Sequence, residues 1–126
     1  MAMKFQREAT NEFAITGYTA DSVSVGGTAF TQSLCVSHLA PAAAWPVAAF
    51  SDITAETVAH AIALRPEIVI IGSGEKLRFP PPAALAPLRD AQIGFEVMDT
   101  AAACRTYNVL LGEGRQVAAL LLIEAV

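Results

Sequence analysis

Apolar residues fall along this chain in short blocks punctuated by glycine and proline, with no single long stripe. The sharpest block is Ile68-Val69-Ile70-Ile71, stopped at once by Gly72-Ser73-Gly74-Glu75-Lys76. An unbroken, β-branched run of that length marks a strand buried on both faces, as in parallel sheets. Phe95-Glu96-Val97-Met98, introduced by Gly94, and the run Gln116 to Ile123 predict two further strands. Helical spacing separates them. After Asp52, Thr54 can cap exposed amides, Ile53 can meet Val58 as a hydrophobic staple, and Val58, Ala61 and Ile62 share a face. Arg65-Pro66 should end that helix near Leu64, because the residue before a proline is pushed out of the α region. Pro82 suits the first turn of a second helix across Ala83 to Asp90, shortened or bent by Pro87. Asp99 or Thr100 caps a third to about Leu111, which Gly112-Glu113-Gly114 ends.

The first half reads differently. Phe13 to Tyr18 and Ser22 to Val25 form two short β-runs, Gly26-Gly27 reverses the chain, and Ser33 to Ser37 carries alternating Leu34 and Val36. Pro41 and Pro46 frame Ala42-Ala43-Ala44-Trp45 as an irregular connection or edge strand. Residues 1–12 are polar and aperiodic and read as a flexible arm, leaving residues 13–126 as one domain. The expected class is therefore α/β, with a β-rich N-terminal half and a βαβαβ C-terminal half. Parallel crossovers are nearly always right-handed. They would bring Gly72-Ser73-Gly74 and Asp99-Thr100 to one edge, at the carboxyl ends of the strands.

Composition narrows the function classes. Twelve acidic and 8 basic residues give a net charge of -4, with no Lys/Arg cluster to neutralise a row of phosphates, so nucleic acid is not an expected partner. Hydrophobic residues make up 54% and charged residues 16%, enough apolar surface for a partner-binding or self-associating patch. No stretch approaches the roughly 20 apolar residues of a transmembrane helix. The opening residues lack an apolar signal core and carry Glu8 and Glu12, which reads as cytoplasmic. Cys35 and Cys104 lie far apart without a CxxC spacing and are expected as free thiols.

The candidate site residues each have a plain structural alternative. The glycine loop is either a tight turn or a ligand loop, with Lys76 or Arg78 adding charge. It fails both the dinucleotide fingerprint, since Leu77 stands where a third glycine belongs, and the phosphate-loop spacing. Asp99 is a helix cap or a carboxylate at the site. Cys104 groups with Ala103, Tyr107 and Leu111 on the face expected to cover the sheet. Arg105 points away from that face and Asn108 lies at its border, both as ligand or partner contacts or, for Arg105, as a solvated residue or an ion-pair donor to Glu113 or Asp99. His38 and His60 are isolated, which makes neither a zinc site nor a triad. Trp45 is a core or interface anchor. No metal or cofactor is expected.

The run Glu96-Val97-Met98-Asp99-Thr100-Ala101-Ala102-Ala103-Cys104-Arg105-Thr106-Tyr107-Asn108-Val109-Leu110, followed by Glu113-Gly114-Arg115, resembles the signature of a small α/β domain family. That family includes the mitochondrial respiratory complex I assembly factor 3 and many bacterial proteins of unknown function. Ile68 to Gly74 resembles its strand and glycine loop, and Gly26-Gly27 with Ser33-Leu34 its amino-terminal hairpin region, so the likeness spans about residues 13 to 123. It implies a single three-layer domain around a mixed central sheet, and no settled reaction. The chain resembles the bacterial form. Two functions follow as expectations. One is a non-enzymatic interaction module, assisting assembly of a respiratory or membrane-associated complex through a protein partner or self-association. The other is a small-ligand protein or enzyme using Gly72, Ser73, Gly74, Asp99, Thr100, Arg105 and Asn108.

Overall fold

The computed structural model describes residues 12–124. The expected arm, residues 1–12, lies outside the described residues except for Glu12. Five strands form the central sheet: β4 (Leu34–Ser37), β5 (Ala43–Ala44), β6 (Ile68–Gly72), β7 (Gly94–Met98) and β8 (Val117–Leu121), in the order β5-β4-β8-β6-β7. Strand β6 runs parallel to both β7 and β8, while β4 runs antiparallel to β8 and to the edge strand β5. The sheet is mixed, as the resemblance implies. A separate antiparallel sheet joins β1 (Ile15–Thr19), β2 (Ser22–Val25) and β3 (Thr28–Phe30). Gly26 and Gly27 make the β2–β3 reversal at φ 58° and 87°, a region glycine enters without steric cost.

Period-two alternation sorts the central strands into two cores. Val117, Ala119 and Leu121 of β8, with Ile70 of β6, face helix α3 (Thr100–Gly112) and the three-stranded sheet. Ala118 and Leu120, with Val69 and Ile71, face the opposite layer of α1 (Ala55–Val58) and α2 (Pro82–Asp90). Both faces of β6 and β8 are thus covered, which explains their unbroken apolar runs. Trp45 belongs to the second core, 2% exposed, with its Nε1 donating to the Thr57 carbonyl at 2.9 Å. Cys35 and Cys104 are both free thiols, buried on opposite faces of the sheet.

Two elements differ from expectation. The helix anticipated from Thr54 to Leu64 is α-helical only over Ala55–Val58 and tightens to a 3₁₀ turn over Ala59–Leu64, closing where Arg65 takes φ 53° ahead of Pro66. Strand β3 was not expected. Three residues are too few for alternation to register, and only pairing with β2 defines them.

Candidate functional site

The site grows from the carboxyl ends of β6 and β7, where the parallel register places Gly72 beside Met98. Helix α3 begins two residues beyond Met98, capped by Asp99, whose carboxylate accepts from the Ala102 amide at 2.8 Å. The helix start presses directly on β6. A Cβ at Gly72 would lie 2.9 Å from Thr100 Oγ1 and 3.0 Å from its Cα, so glycine permits this approach.

Thr100 ties three segments together. Its amide donates to the Gly74 carbonyl at 2.9 Å, while its hydroxyl accepts from the Gly74 amide at 2.9 Å and donates to the Leu122 carbonyl at 2.7 Å. Ser73 is fully buried. Its hydroxyl donates to the Lys76 carbonyl at 2.6 Å and accepts from the Arg78 amide at 3.0 Å, closing the glycine loop as a turn. Arg78 folds back across that turn: its Nη2 reaches the Ser73 carbonyl at 3.0 Å and Glu124 at 2.8 Å, and its guanidinium lies 4.7 Å from the Phe50 ring centroid. Leu77 and Phe79 on either side stay outside, 54% and 67% exposed.

A cleft of about 660 Å³ opens above these contacts. Gly74, Asp99 and Thr100 line it, joined by Tyr18, Glu75 and the residues 122–124 that follow β8. Gly72 lies beneath α3, and Ser73 is enclosed in its own turn. Arg105 stands behind one wall, donating to the Tyr18 hydroxyl at 2.7 Å with its guanidinium 6.0 Å from that ring; the hydrogen bond, aided by the nearby Asp99 charge, raises the guanidinium pKa further. Asn108 is farther along α3. Its amide accepts from the Ile15 N–H at 2.8 Å and donates to the Ile15 carbonyl at 2.6 Å, clamping β1 to the helix. Tyr18 and residues 122–124 carried no signal in the sequence, because a second sheet packing on α3 and the extension of β8 bring them to the cleft.

Nucleophilic chemistry finds little here. Burial raises the Cys104 and Cys35 thiols to about 12, suppressing the thiolate that would react. Among the described residues, no three or more His, Cys, Asp or Glu side chains gather where they could hold a metal ion. No helix among them is long and apolar enough to cross a membrane.

Fold and site together define a three-layer α/β domain with an open cleft at the carboxyl ends of its parallel strands. Residues 15–122 match the family described as protein of unknown function (DUF498/DUF598), and the chain belongs to that family. It is 36% identical over 80 residues to NADH dehydrogenase (ubiquinone) 1 alpha subcomplex assembly factor 3 of Xenopus tropicalis, covering 62% of this chain and 44% of that protein. With the human protein of that name it shares 32% over 121 residues, covering 93% of this chain and 64% of the relative. The chain therefore spans less than two thirds of either. A crystal structure of a Bordetella parapertussis protein superposes with a TM-score of 0.85 at 36% identity, covering 92% of this chain and 99% of that one. A Bordetella pertussis protein described as an Mth938-like domain gives 0.84 at 29% identity, covering 99% and 94%.

Proposed function

We propose that the chain is a non-enzymatic protein-interaction module that assists assembly of a respiratory or membrane-associated complex. The observation that carries this reading is the loop after β6. Arg78 is anchored inward, and Leu77 and Phe79 on either side of it are held outward as an exposed apolar pair. Apolar groups held in water without a structural role are the surface that a partner covers. The relatives named as assembly factors support the same reading.

A photo-crosslinking residue at position 79, in cells expressing the chain at native level, should yield a discrete adduct with another protein. The same residue at the exposed Glu113, at the far end of α3, should not. Leu77→Ser with Phe79→Ser should abolish co-purification of that protein while changing unfolding free energy by less than about 0.5 kcal/mol. Equal labelling at both positions, or none at 79, counts against the proposal.

A second reading is favoured by the meeting of Gly74 and Thr100 beside Asp99 in an open cleft: a small-ligand site with Gly72, Ser73, Arg105 and Asn108 as supporting residues. A ligand for it would raise the melting temperature. Asp99→Ala should remove that shift.

A further inference from the structure

Three consecutive prolines, Pro80-Pro81-Pro82, join the glycine loop to α2. Each pushes the residue before it out of the α region, so Phe79, Pro80 and Pro81 are all held extended. Pro81 stands at φ -60° and ψ 149°, the polyproline II well, and residues 77–81 run without turn or bend until Pro82 opens α2. A polyproline II helix has three residues per turn and therefore three edges. Here one edge, Pro80, is buried against the domain. Phe79 and Pro82, three residues apart on a second edge, are exposed, as is Pro81 on the third. The inward anchoring of Arg78 fixes the approach to this ridge. Its backbone is one-sided. Prolines carry no N–H. The Pro81 carbonyl accepts from the Ala84 amide and the Pro82 carbonyl from Arg89 Nη2, both at 2.9 Å, while the Phe79 and Pro80 carbonyls accept from none of the described residues.

We propose that Phe79-Pro80-Pro81-Pro82 is a recognition ridge that enters an aromatic-lined groove on a partner protein. Tyrosine or tryptophan rings of the groove pack on Phe79 and Pro82, and a hydroxyl or indole N–H donates to the Phe79 carbonyl. The inference rests on the interaction reading above and names the surface of the partner. The prolines select this occupant. A partner strand needs donors and acceptors in alternation, and three successive residues here donate nothing. A lipid surface would take the unpaired carbonyls into hydrocarbon with nothing to satisfy them. A second copy offers no such groove, since Tyr18 and Phe79 are the only exposed aromatic residues among those described. The ridge is also ordered before the partner arrives, which lowers the entropic cost of binding.

The test places a photo-crosslinking residue at position 77, at the foot of the ridge, in the full chain expressed at native level, and maps the adduct by mass spectrometry. The crosslinked peptide should carry tyrosine or tryptophan. With that partner purified, Phe79→Ala and Pro82→Ala should each weaken its binding by about fivefold to tenfold. Leu39→Ser, at an exposed leucine outside the ridge, should leave the affinity unchanged. Both ridge variants keep the fold, because Phe79 is exposed and alanine suits the first turn of a helix, and unchanged circular dichroism checks this. Three outcomes would overturn this inference and leave the interaction reading standing: an adduct peptide with neither aromatic, an adduct with a second copy, or a partner that binds the Pro82→Ala chain as tightly as the native one. A groove partner that belongs to no respiratory or membrane-associated complex would sink the assembly reading alone. An adduct with lipid, or no adduct at either 77 or 79, would sink both.

Discussion

Thr100 has one hydroxyl and satisfies two backbone groups with it, the Gly74 amide and the Leu122 carbonyl. Both belong to segments that line the cleft, so this side chain fixes the cleft's shape more directly than any charged residue does. Thr100→Val keeps the volume and leaves both partners unpaired. It should cost about 1–3 kcal/mol in urea unfolding, and Thr100→Ser should recover most of it. The thiols make a second prediction at this scale. With pKa values raised to about 12 from an ordinary 9.0, they hold roughly a thousandfold less thiolate than exposed cysteines at neutral pH. Iodoacetamide should therefore leave both unmodified in the folded chain at pH 8 and alkylate both in urea. The sign of the linkage follows. A raised folded pKa stabilises the native state below the ordinary thiol value, and that contribution is lost as pH rises through 9 toward 12.

At the scale of elements, helix α3 is the hinge between the two sheets. One face packs Ala103, Cys104, Tyr107 and Leu111 on the central sheet and β1, and side chains of the helix hold β1 and Phe13 just before it: Asn108 bonds Ile15, Arg105 bonds Tyr18, and the Tyr107 hydroxyl donates to the Phe13 carbonyl at 2.9 Å. Asn108 mimics a neighbouring strand, offering β1 both a donor and an acceptor. Asn108→Ala should cost about 1–3 kcal/mol and lower hydrogen-exchange protection across β1 and β2 before β6 and β8, whose ladder it does not touch. Asn108→Asp is the finer probe, since it keeps the acceptor for the Ile15 amide but sets an oxygen against the Ile15 carbonyl. From sequence, Asn108 stood at the border of an apolar stripe as a candidate ligand contact. Its backbone partner is 93 residues away, a separation that no local pattern encodes.

Across the whole molecule, the legible parts were those set by nearest neighbours. Buried runs, prolines, glycines and caps define β6, α2, β7, α3 and β8 within a residue or two, because periodicity and capping are local physics. The meeting of the Gly72-Ser73-Gly74 loop with Asp99-Thr100 was also legible, since two parallel crossovers leave their strand ends on one edge. The central position of β8, the separate three-stranded sheet and the inward fold of Arg78 required the assembled chain. Strand order is decided by which apolar faces cover one another, and Arg78 finds Glu124 and Phe50 only after β8 is inserted beside β6. By itself the sequence determined an α/β domain in which the Gly72-Ser73-Gly74 loop and Asp99-Thr100 meet at one sheet edge. Tertiary structure alone decided that a cleft opens at that edge, because Tyr18, Glu75 and Glu124 come from three distant stretches that packing brings together to line it.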